Sequence, residues 1–60
     1  MTTARRVRNA LDRRGLLVWV DGVETQNGEV LVWFCGLGHV VSSVAAAVRL
    51  AEDARRLSAP

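Results

Sequence analysis

The chain has no lysine, isoleucine or tyrosine, and its 60 residues include one cysteine, one proline and only three aromatic residues. A lone cysteine, Cys35, excludes an internal disulfide and leaves no cysteine-rich metal site. Sixty residues make one small domain, 1–60, and a chain of that length buries only about 60% of its unfolded surface. Domains below about 70–80 residues usually rely on disulfides, a metal or oligomerisation. With the first two unavailable, and with 50% hydrophobic residues, the sequence points to self-association as a homodimer. No acid, base and nucleophile stand in a catalytic arrangement, so the chain reads as non-catalytic, with no cofactor and no metal.

The formal charge of +2 is unevenly spread. Residues 1–15 hold Arg5, Arg6, Arg8, Arg13 and Arg14 against Asp12, a charge of +4. Residues 16–38 hold only Asp21, Glu24 and Glu29, a charge of −3. Residues 39–60 hold Arg49, Arg55 and Arg56 against Glu52 and Asp53, a charge of +1. A basic head on a mildly acidic body selects a negatively charged partner. Because lysine is absent, part of this arginine content is compositional.

Thr2 or Thr3 can cap a helix that Gly15 ends, with Ala4, Val7, Ala10 and Leu11 as its apolar stripe. The helix is too short to be stable alone and must dock by that stripe. Its arginines are candidates to contact phosphates or an acidic protein surface. The following apolar run soon meets Asp21 and Glu24 and has no small-residue cleavage site, which argues against a secretory signal and for a cytoplasmic protein.

Two apolar runs, Leu16–Val20 and Val30–Cys35, flank Glu24-Thr25-Gln26-Asn27-Gly28-Glu29. Val, Trp and Phe suit a packed pleated surface, and Asn-Gly suits a tight turn, so 16–37 is expected to form one β-hairpin. A three-residue loop, Gln26-Asn27-Gly28, places Val23 opposite Leu31, Asp21 opposite Trp33 and Trp19 opposite Cys35. It also sorts Val18, Val20, Val30, Val32 and Phe34 onto one apolar face. A two-stranded sheet is marginal, and a dimer joining two hairpins would complete it.

Gly36-Leu37-Gly38 reads as a sharp turn into a helix and not as a phosphate cradle, since position 41 of the dinucleotide pattern is Val41. Cys35 and His39 are spaced to give two ligands of a zinc site or a thiol–imidazole pair. Two ligands are too few for zinc outside a symmetric dimer, so they read as a buried structural cysteine and a helix-entry histidine.

A long helix is expected over 39–58, apolar over Val40, Val41, Val44, Ala47, Val48, Leu50, Ala51, Ala54 and Leu57. So wide a face suits contact on two sides, one of them a neighbouring chain. The expected oligomer or partner interface comprises Trp19, Trp33, Leu31, Val44, Ala47 and Ala51, aromatic anchors beside small helix residues.

The rival reading is a single-span membrane protein. Residues 30–48 run without a charge up to Arg49, long enough to cross a bilayer. His39, Ser42, Ser43 and the Gly36/Gly38 pair interrupt that run. The sequence therefore predicts an α+β fold, a small α-β-β-α domain with a β-hairpin packed on a long C-terminal helix and completed by dimerisation. Its expected role is a small binding, assembly or regulatory protein with an arginine-rich helix for nucleic acid or an acidic partner.

Overall fold

Thr3 is extended (φ −123°, ψ 157°), and its Oγ1 accepts from the Arg6 N–H at 3.2 Å, so it caps helix α1 (Ala4–Arg13). The computed structural model describes residues 2–58. Val7, Ala10 and Leu11 form the buried stripe of α1. The helix ends in a Schellman motif: Gly15 sits at φ +68°, its N–H donates to the Asp12 carbonyl, and the Leu16 N–H donates to the Leu11 carbonyl at 2.8 Å.

The run after Gly15 departs from the expected strand. Leu17–Trp19 is one turn of 3-10 helix, η1, closed by the Trp19 N–H on the Leu16 carbonyl. A turn of this kind buries Leu16 and Val20 together while leaving Val18 82% exposed, which an apolar strand face would not do. The hairpin expected over 16–37 therefore begins only at Gly22.

Three strands, β1 (Gly22–Gln26), β2 (Glu29–Phe34) and β3 (Leu37–Val41), form an antiparallel sheet in that order. Asn27 and Gly28 (φ 54° and 79°) make the first turn, and Cys35 and Gly36 (φ 53° and 77°) make the second. Positive φ at both central residues is the primed turn whose twist matches that of the strands. The Asn-Gly turn thus has two residues, not the expected three. Val23 faces Val32 and Gly22 faces Trp33 in place of the Val23–Leu31, Asp21–Trp33 and Trp19–Cys35 pairs. Cys35 is exposed at a turn and His39 lies within β3, correcting their reading as a buried cysteine and a helix entry.

Helix α2 (Val44–Ser58) starts five residues after His39, where Ser43 Oγ accepts from the Ala46 N–H at 3.0 Å. Ala47, Ala51 and Ala54 recur at i, i+4 and i+7 and are buried with Val7, Leu11, Leu16, Val20, Val23, Val30, Val32 and Val41. The small alanines let α2 come close to its own α1, so Ala47 and Ala51 do not face outward as interface residues. The architecture is α-β-β-β-α, an α+β domain with a three-stranded sheet where two strands were expected. Its shortest extent, 14 Å, fits one helical layer on one sheet. Residues 30–48 are two strands, their turn, a short link and the first residues of α2, and among the described residues no helix is long and apolar enough to cross a membrane.

Candidate nucleic-acid interface

The helical period divides the five N-terminal arginines among different sides of α1. All five are exposed, but they do not act as one face. Arg8 turns to the sheet, where its Nη2 donates to the Val23 carbonyl at 2.8 Å. Arg5 lies on the side of α1 opposite the buried stripe and does not line the α1–α2 concavity. Arg6, Arg13 and Arg14 are brought together with Asn9 and Ala10 along the flank that meets α2 at Val44, around a groove of about 320 Å³. Arg14 is held in place by its own helix, its Nη1 donating to the Ala10 carbonyl at 3.0 Å.

A second concavity of about 380 Å³ shares Arg14 and Val44 with the first and continues along α2 past Val48 to Arg49 and Glu52. Arg49 and Glu52 in turn border a third concavity with Trp19, Arg55 and Arg56. The track therefore starts with three arginines and no carboxylate, then acquires Glu52 in the second concavity and Asp53 in the third. Asp53 is paired with Arg56, three residues on in α2. Because that pair is solvent-exposed, it contributes little to stability.

The groove is bounded by the first turn of α2, at Val44, whose positive end favours an anion, and by the last turn of α1, at Arg13, whose carbonyl end opposes it, so the side chains decide the sign. Thr2 Oγ1 donates to the Ser42 carbonyl at 3.0 Å, tying the start of α1 to the approach of α2.

Of the residues expected at an oligomer or partner interface, Val44 lies in this groove and Trp19 at the end of the track. Trp33 and Leu31 lie on the opposite face of the sheet, so the two tryptophans do not share a face as the hairpin register had implied. Leu31 is buried outside the main core, and the Trp33 Nε1 donates to Glu24 Oε1 at 2.8 Å. The sequence reading missed Asn9 and Arg49 as groove residues. Asn9 falls one turn from Arg6 and Arg13, a signal the wheel contains, whereas Arg49 is recruited only by packing α2 on α1.

Comparison of the chain with protein-family models, with curated proteins and with solved structures finds no match. The functional reading therefore rests on the geometry of the groove.

Proposed function

We propose that the chain is a small non-catalytic binding module whose α1–α2 groove takes the phosphate groups of a nucleic acid. The observation that carries this reading is the gathering of Arg6, Arg13 and Arg14 around one groove at the start of α2, with no carboxylate in its lining. Guanidinium groups hold phosphates in bidentate fashion, and Asn9 adds a neutral hydrogen-bonding group to the same wall. With the three arginines given to phosphates, Asn9 is the one other polar group in the lining, so the contact is to the backbone and sequence-tolerant. An assembly or regulatory role follows, in which the domain marks or packages the polyanion and does not alter it.

The test is fluorescence anisotropy with short labelled DNA and RNA duplexes across a salt series. Three arginine–phosphate contacts correspond to a slope of log K against log salt of about −2.7, at about −0.9 per phosphate. Arg6→Ala and Arg13→Ala are each expected to reduce the slope by about 1. Binding that ignores salt and both substitutions overturns the reading. Preference for an acidic polypeptide over both duplexes assigns the groove to a protein partner instead.

A further inference from the structure

We propose that β3 is the seam of a homodimer, in which the β3 strands of two copies pair antiparallel and extend the sheet across both chains. This inference goes beyond the groove and does not depend on it.

The two edges of the sheet differ. On β1 the Val23 carbonyl is taken by the Arg8 guanidinium, and Glu24 places a charge on the strand. An edge so occupied resists pairing with another strand. On β3, Leu37-Gly38-His39-Val40-Val41 carries no lysine, arginine, carboxylate or proline. With Phe34 and Leu37 closing the two-residue turn, alternation turns the N–H and C=O groups of Gly38 and Val40 away from β2. Among the described residues no backbone or side-chain partner covers them.

Apolar exposure is concentrated at the same edge. Among the described residues four large hydrophobic ones are exposed, Val18, Leu37, Val40 and Leu57, and three of them lie along β3 or beside it. Leu37 and Leu57 border an apolar cleft of about 310 Å³ with Phe34 and Leu50. Val40 stands on the opposite face of the strand, so a copy paired on β3 would cover apolar surface on both sides of the sheet.

A second copy is the occupant that fits. An uncharged strip offers nothing to select a partner of opposite charge, whereas antiparallel β3–β3 pairing is self-complementary and satisfies two open edges at once. A two-fold axis at His39 sets Gly38 of one copy against Val40 of the other, and uses all four outward-facing residues. A standard interface takes about 800 Å² from each partner, about a fifth of this chain's 4150 Å². The residues that would supply it, β3 and the end of α2, stand apart from the arginine groove, so both grooves of the dimer stay open.

The test is sedimentation equilibrium from low to high micromolar protein. The wild-type chain is expected to reach twice its 6.5 kDa mass. Val40→Lys, at an exposed position, is expected to weaken the dimer by about tenfold or more while leaving the far-ultraviolet circular dichroism unchanged. Val18→Lys, away from the edge, is expected to leave it intact. A wild-type chain that stays monomeric at high micromolar concentration, or a dimer that persists in Val40→Lys, overturns the proposal. Should Val40→Lys fail to fold, amide exchange of the wild-type decides: protection at Gly38 and Val40 must rise with protein concentration, and concentration-independent exchange overturns the seam.

Discussion

Trp33 lies across Gly38, its partner on the neighbouring strand, so closely that a Cβ at position 38 would stand 3.0 Å from the indole Cζ2 and 2.9 Å from the Leu31 Cδ2. The missing side chain is what lets the ring lie flat on the sheet. From there its Nε1 reaches Glu24 on β1, so one side chain spans all three strands. Leu31, on the face turned away from the helices, is only 8% exposed, and it meets the same point above Gly38 as the ring.

Gly38→Val therefore displaces the ring. The backbone at position 38 is not left-handed, so conformational freedom is not what the glycine supplies, and valine would gain strand propensity there. Overpacking outweighs that gain, and a loss of about 1–3 kcal/mol is expected in urea denaturation. Tryptophan emission shifts to the red as the ring enters water. Unchanged stability together with unchanged emission would show that the ring does not depend on the glycine.

Cys35 adopts φ 53° in the second turn, a conformation that costs a residue with a side chain about 1–2 kcal/mol and that asparagine tolerates far better. The first turn already uses Asn27 at the same position with φ 54°. Cys35→Asn copies it, and thermal unfolding under reducing conditions should show stabilisation by about 0.5–1 kcal/mol. A lower melting temperature would mean that the thiol makes a contribution the turn geometry does not explain.

Arg8 separates two roles that its neighbours leave mixed. Its bond to the Val23 carbonyl is charge-assisted but partly solvated, so Arg8→Ala should cost about 1 kcal/mol. The same change should lower nucleic-acid affinity less than Arg6→Ala or Arg13→Ala does, since Arg8 faces the sheet and not the groove. Paired denaturation and anisotropy measurements on the three variants check this. An Arg8→Ala chain of full stability and sharply reduced affinity would move the binding surface to the other flank of α1.

Helix α1 was legible in the sequence because its signals are local: a threonine cap, a four-residue apolar stripe and a glycine that closes the end. The α+β class and the Asn-Gly turn were legible for the same reason. Leu16–Val20 was not, since a run of five apolar residues carries no period, and only the fold decides whether it buries alternate residues or its two ends. Placing that run in a strand forced the wrong loop length, because the register was chosen to sort Val18 and Val20 with Val30 and Val32. The third strand was concealed by Cys35-Gly36, a turn of the same geometry as Asn-Gly without its usual first residue. With Gly36 and Gly38 read as a helix approach, β3 was absorbed into α2, although Ser43-Val44 followed by three alanines marks the true start. The arginine-rich character of residues 1–15 could be read directly. Its division into a sheet-bracing Arg8 and a groove of Arg6, Arg13 and Arg14 depends on where α2 packs, as does the arrival of Arg49.

The central claim, that the α1–α2 groove receives a polyanion, is tested most directly by following backbone amide resonances as a short nucleic-acid duplex is added. Shifts are expected over Arg6–Gly15 and from Ser43 to Arg49, with Glu24, Leu31 and Trp33 on the far side unmoved. Shifts centred on the outer face of the sheet, or none at a concentration where anisotropy reports binding, would contradict the account.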